Sequence, residues 1–105
     1  MTPAQKVASD IIKLCKANNW LWVKLTTTNY RGFPDALIIT GSNTYFCEIK
    51  AKKDTIKPVQ YTVHEMLNQE VERCFVARGV EDVERFMVER GYKLNKADKK
   101  TICLF

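Results

Sequence analysis

Residues 32–50 read GFPDALIITGSNTYFCEIK, and the turns and strands within them decide the fold. Two apolar runs, 36–39 and 45–49, flank Gly41-Ser42. Gly followed by Ser between such runs signals a two-residue type II′ hairpin. That turn makes Thr40 and Asn43 the closing pair. Counting outward then sets Asp35 directly opposite Glu48, with Cβ atoms roughly 4.5–5.5 Å apart. Strand side chains alternate faces, so Lys50 projects on the same side as Glu48. Two carboxylates and an ammonium therefore converge at the open end of a hairpin. Carboxylates this close repel unless one is protonated or a cation lies between them, and a hard divalent ion with oxygen ligands resolves that conflict. A solvated cross-strand ion pair is the plain alternative. Against it stands the run 36–39, apolar on both faces as in a strand covered on both sides, where charges are seldom idle.

Working outward, Thr2-Pro3-Ala4-Gln5 opens a helix: Thr2 is the N-cap, Pro3 takes the first helical position and Gln5 completes a capping box. Ala4, Val7, Ala8, Ile11, Leu14 and Cys15 recur at helical spacing as its buried stripe, and Asn18-Asn19 ends it. Residues 20–27, rich in aromatic and β-branched types, predict the first strand. A loop over 29–34 leads into the hairpin, and 52–57 form a polar loop. Pro58 begins a second helix with Val59, Val63, Met66 and Leu67 toward the sheet. Residues 74–77 predict a short strand. Residues 80–89 predict a third helix, with Val83, Phe86 and Met87 inward and Gly91 as its stop. Short strands are expected at 92–94 and 101–105, around a polar turn over 95–100. With no internal repeat, Gly-rich linker or low-complexity tract, residues 1–105 read as one α/β domain in the order αβββαβα with a β tail.

The chain has 105 residues, 46% hydrophobic and 28% charged, which excludes a disordered composition and suits one modest core. No apolar run approaches the ~18–20 residues that span a bilayer, and the first residues lack the apolar core of a signal peptide. A cytoplasmic setting without membrane contact is therefore expected. Cys15, Cys47, Cys74 and Cys103 are scattered among apolar neighbours with no C-x-x-C pair, and read as reduced core residues rather than a zinc site.

The formal net charge is +5. Lys50, Lys52, Lys53 and Lys57 follow the carboxylate pair closely, while Lys24 and Arg31 precede it, a basic collar suited to a phosphate backbone. Tyr30 and Arg31, in the loop beside the pair, are further candidates for substrate contact. Trp20 and Trp22 read as core more than as a base-stacking platform. The single histidine, His64, excludes HNH chemistry and Ser-His-Asp triads. It lies one turn after Gln60, where it either approaches a substrate phosphate or serves structure alone.

Gly32-Phe33-Pro34-Asp35, Glu48-Ile49-Lys50, Gln60 after a basic loop, and Phe75-Val76-Ala77-Arg78-Gly79-Val80-Glu81-Asp82-Val83 resemble the virus-type replication-repair nuclease (VRR-NUC) group of the PD-(D/E)XK nuclease superfamily. The resemblance covers about residues 2–90. It implies the superfamily's αβββαβ core with an added helix and a C-terminal β segment. It also implies that Asp35, Glu48 and the Ile49 carbonyl bind Mg²⁺ or Mn²⁺, that Lys50 orients or activates the attacking water and balances phosphate charge, and that Gln60 stands at the edge of the site. Many relatives carry a metal-reaching glutamate on the first helix. Gln5 stands near that place, able to offer an amide oxygen or simply to complete the capping box, and Asp10 is the other candidate.

These readings make the expected activity a metal-dependent DNA endonuclease acting on branched replication or repair intermediates. A homodimer, with the apolar segment 101–105 as a candidate interface, would double the small binding surface. Relatives occur as freestanding phage and bacterial proteins. The alternative is a nuclease fold that keeps its basic surface but acts only as a nucleic-acid-binding module, a reading favoured by Gln5 and disfavoured by the intact Asp35/Glu48/Lys50 set.

Overall fold

The computed structural model describes residues 1–96. Three helices and four strands follow in the order α1 (Pro3–Ala17), β1 (Leu21–Lys24), β2 (Ala36–Ile39), β3 (Thr44–Ile49), α2 (Pro58–Leu67), β4 (Cys74–Ala77) and α3 (Val80–Glu89). The strands form one mixed sheet in the order β1-β2-β3-β4, the first three antiparallel and β4 parallel to β3. Such a parallel pair needs a crossover, and α2 provides it. The strands that end beside Asp35 and Glu48, β2 and β3, are thus both interior.

One sheet face carries Trp22, Ala36, Ile38, Tyr45, Cys47 and Ala77, which pack with Val7, Ile11, Leu14 and Cys15 of α1 and Val83, Phe86 and Met87 of α3. The other face is covered by α2 and by the loop before β2, where Phe33 meets Phe46 edge-on at 5.6 Å. Asp35 and Glu48 alternate with buried Ala36 and Cys47, so both lie on this second, α2-covered face.

Local chemistry explains the boundaries. Thr2 Oγ1 accepts the Gln5 N–H at 3.1 Å while Gln5 Oε1 accepts the Thr2 N–H at 2.8 Å, the reciprocal cap expected from T-P-A-Q. The third helix ends in a Schellman turn, with Tyr92 N–H donating to Met87 O at 3.1 Å and Gly91 N–H to Val88 O at 3.0 Å. Gly91 supplies the φ of +91° that this turn requires.

Three expectations need correction. The first strand is shorter than 20–27: it pairs with β2 over Leu21–Lys24, and Leu25 N–H adds one further bond, to Asp35 O at 2.8 Å, where the partner chain runs into the loop over 29–34. Residues 92–94 are not a strand. Tyr92 and Leu94 pack on the core, Asn95 N–H donates to Asn18 Oδ1 at 2.7 Å, and Asn18 Nδ2 donates to Asn95 O at 2.6 Å, so a side chain meets the backbone groups of Asn95. On α2, Met66 is exposed and His64 is buried instead. The expected strand 101–105, the interface placed there and Cys103 lie outside the described residues. Cys15, Cys47 and Cys74 are buried free thiols, and burial pushes Cys15 and Cys74 up to about 12. No helix among the described residues is long and apolar enough to cross a membrane.

Candidate metal and phosphate site

The hairpin has the register expected, but its turn is not the type II′ form that Gly41-Ser42 predicts: Gly41 does not take the positive φ that form requires, and Asn43 N–H donates to Thr40 Oγ1 at 3.1 Å, so the threonine hydroxyl closes the turn. Ala36 pairs with Cys47 and Ile39 with Thr44, and Thr40 N–H donates to Asn43 O at 2.9 Å as the closing pair. Extending the ladder by one residue sets Asp35 against Glu48. Asp35 Oδ2 accepts the Ile49 N–H at 2.8 Å, which holds its carboxyl against β3. Lys50 N–H points the other way, to Ala77 O of β4 at 3.0 Å. Across the trans peptide between them the Ile49 carbonyl is opposite to that N–H, so it faces the Asp35 side. Two carboxylates and one main-chain carbonyl are therefore aimed at one place.

The loop before Asp35 is built to hold it there. Pro34 is fully buried. Gly32 has φ +82°, and a Cβ on it would stand 2.6 Å from Val59 O at the start of α2. Only glycine lets this loop lie so close to the helix. Gly32→Ala is expected to destabilise the fold by roughly 1–3 kcal/mol through this clash and the positive φ. Chemical denaturation against wild type measures it, and an unchanged midpoint would contradict the close packing.

Glu48 is 2% exposed, and its partners come from α2 and from its own strand. Gln60 Nε2 donates to Glu48 Oε2 at 3.3 Å, and Lys50 Nζ lies 3.9 Å from the same oxygen. Gln60 also accepts the Lys57 N–H on its Oε1 at 2.9 Å, so one amide both caps the helix and touches the site. Glu48 Oε1 has no hydrogen-bond partner although it is buried. A buried carboxylate with one long hydrogen bond and one ammonium near 4 Å is poorly compensated.

Asp35 responds to this crowding. Its carboxyl is pushed up to about 6, most by partial burial, then by Glu48, close enough to share a proton with it; the Ile49 N–H and the Lys50 charge oppose the rise. Because Asp35 as a residue is exposed, solvent screens part of the burial effect, and the like charge of Glu48 is the firmer cause. A divalent ion between the two carboxylates would remove the repulsion. The donor set is hard oxygen, the type that Mg²⁺ and Mn²⁺ prefer. Among the described residues no three His, Cys, Asp or Glu side chains cluster as a ready-made metal cage. An ion here would rest on Asp35, Glu48, the Ile49 carbonyl and water.

The remaining candidates divide in two. Lys24, at the end of β1, pairs with Ala36 and so lies at the sheet end that carries Asp35 but on the face of Ala36, opposite the carboxylates, and the structure does not bring it to them. Tyr30, Arg31, Lys52, Lys53 and Lys57 are exposed in the loops on either side. Gln5 spends its amide oxygen on Thr2, which is the capping role, and Asp10 pairs with Lys6 at 2.8 Å.

Of two further features at the site, one escaped the sequence reading and the other was read only as a choice between substrate phosphate and structure. Arg78 reaches from the end of β4 to donate to Ala51 O at 2.7 Å, Asp54 O at 2.6 Å and Lys52 O at 3.3 Å. Asp54 Oδ2 accepts the Ala51 N–H at 3.1 Å and closes the same turn. One guanidinium thus fixes the basic loop beside Lys50. The other feature is His64, whose Nε2 lies 3.7 Å from Glu48 Oε1 rather than facing solvent. Its spacing of four from Gln60 was a usable signal, since the two share one helix face.

Arg78→Ala is expected to cost roughly 1–3 kcal/mol, the scale of losing hydrogen bonds made by a charged group, and to open the 51–54 loop to proteolysis. Lysine should rescue it incompletely, lacking the planar fork. Limited proteolysis with mass-spectrometric mapping reads this directly, and cleavage sites unchanged from wild type would contradict the clamp.

No protein-family model matches the chain, and no curated protein matches it significantly.

Proposed function

We propose that the chain is a metal-dependent nuclease of the PD-(D/E)XK type, resembling the VRR-NUC group, which hydrolyses phosphodiesters of DNA, with branched or structured DNA as its preferred substrate. The observation that carries this reading is the convergence of Asp35, Glu48 and the Ile49 carbonyl on one place, with Lys50 beside them. The αβββαβ order and the basic collar support it, and a cytoplasmic setting and a homodimer belong to the same reading.

A divalent ion held by Asp35, Glu48 and the Ile49 carbonyl would supply Lewis-acid polarisation of the phosphate and a more acidic attacking water. The protein's own groups do the rest. Lys50, 13% exposed on its side chain, offers a compact cation at the edge of the carboxylate pair, where charge on the phosphate grows during attack. Gln60 restrains Glu48 from α2. Arg31, Lys52, Lys53 and Lys57 bind phosphates and position the strand without reading bases. Tyr30 adds an exposed aromatic surface in the same loop as Arg31.

The reading is tested by incubating the protein with labelled linear, flap and four-way DNA in Mg²⁺, Mn²⁺ or EDTA. Metal-dependent cleavage, strongest on the branched forms, is expected. Tight DNA binding with no cleavage in any metal would instead select the binding-module alternative. A second expectation concerns the loop. Neutralising Lys52, Lys53 and Lys57 together should weaken binding to all sequences alike, and flatten the slope of log K against log salt by roughly one unit per lost contact. An unchanged slope would place the DNA elsewhere.

A further inference from the structure

His64 and Glu48 confront each other in an unusual way. Both are buried, at 8% and 2% exposure. His64 Nε2 and Glu48 Oε1 are also the buried side-chain atoms left without a hydrogen-bond partner among the described residues, and they lie 3.7 Å apart. Each unmet group costs roughly 1–3 kcal/mol if it stays unpaired. The distance exceeds a normal N–H···O contact by about half an ångström. Hydrogen bonds of this kind are often long in the ligand-free state and tighten when the site is loaded.

The rest of Glu48 shows what that contact would do. Its other oxygen, Oε2, faces Gln60 Nε2 at 3.3 Å and Lys50 Nζ at 3.9 Å. Gln60 and His64 are one helical turn apart on α2, so a single helix face reaches both oxygens of one carboxylate. We infer that His64 is a positioning residue: its Nε2–H closes on Glu48 Oε1 and turns Oε2 outward, toward a cation shared with Asp35. This inference rests on the metal-site reading above and assigns His64 to the carboxylate rather than to substrate phosphate. Gln60 and His64 together make α2 the brace of the metal ligand on β3. That role explains why a histidine occupies a buried position on α2 while Met66 remains exposed.

The test uses the full chain, Mn²⁺ as probe and two readouts other than cleavage. Calorimetric titration compares wild type, His64→Leu, His64→Gln and Asp35→Asn, with thermal melting to confirm that each is folded; His64→Met replaces the leucine variant should that one unfold. His64→Leu should weaken Mn²⁺ binding by roughly 10–100-fold, the usual effect of losing a group that orients a ligand. His64→Gln keeps an amide donor and should recover most of that loss. Pulsed electron paramagnetic resonance of bound Mn²⁺ should show no directly coordinated nitrogen. Wild-type affinity in His64→Leu, an equal loss in His64→Gln, or a nitrogen coupling that disappears with His64 would each overturn the positioning role, the last by making His64 a ligand itself. If Asp35→Asn abolishes Mn²⁺ binding in those cases, the metal-site reading stands without this inference. Failure of wild type to bind Mn²⁺ would overturn both.

Discussion

Asp35→Asn is expected to abolish metal-dependent cleavage and, in the same protein, to raise the melting temperature at neutral pH. The two effects share one cause. The carboxyl of Asp35 is pushed from the usual 3.8 to about 6 in the fold, first by burial and then by Glu48. A carboxyl whose folded pKa is raised gives the folded state more bound protons than the unfolded chain between those values. The apo protein should therefore be most stable near pH 4 and lose stability as pH rises toward about 6, with no further loss from this group above that. Asparagine keeps the acceptor for the Ile49 N–H and removes the charge, which should flatten that window. After allowance for the exposure of Asp35, the gain at pH 7 is on the order of 1 kcal/mol, or about 4–8 °C for a domain of this size. Melting curves from pH 4 to 8 in EDTA measure it. A variant less stable than wild type at pH 7 would contradict the proposed strain. Saturating Mn²⁺ should reverse the order, because it stabilises wild type alone.

Lys50→Ala is expected to reduce single-turnover cleavage by roughly a hundredfold or more, while DNA affinity in Ca²⁺ changes little. Lys50 shares a sheet face with Glu48 and lies 3.9 Å from it, so its ammonium reaches the proposed place of reaction but no distant part of a duplex. A charge that meets the phosphate mainly as negative charge builds up lowers the barrier without much change in ground-state binding. Rapid-quench cleavage and equilibrium binding, measured on the same substrate, separate the two. Wild-type cleavage with much weaker binding would move Lys50 into the basic collar and favour the binding-module reading.

The site was legible in the sequence where local rules act alone. A two-residue loop and the alternation around it determine the hairpin register, and register alone brings Asp35 to Glu48, although the turn itself is closed by the Thr40 hydroxyl and not by a type II′ glycine. Helix ends were legible for the same reason, since Thr2, Gln5, Pro58 and Gly91 each solve a backbone problem within a few residues. What stayed hidden depends on contacts between distant segments. Arg78 crosses to carbonyls more than twenty residues earlier, which no spacing rule reports. Asn18 meets Asn95 and so replaces an expected strand. On α2, hydrophobicity favoured Met66 for the inner face, but the buried carboxylate on β3 needs a polar neighbour and His64 provides one. Polar residues on an inner helix face are thus best read against the charge they must meet, not against the apolar stripe alone.

The most direct measurement is a crystal structure of the protein soaked in Mn²⁺, with data collected to locate the ion by its anomalous scattering. The account predicts one peak between Asp35 and Glu48, about 2.0–2.3 Å from a carboxylate oxygen of each and from the Ile49 carbonyl. Absence of a peak there at saturating Mn²⁺, or an ion bound elsewhere while these carboxylates stay free, would contradict it.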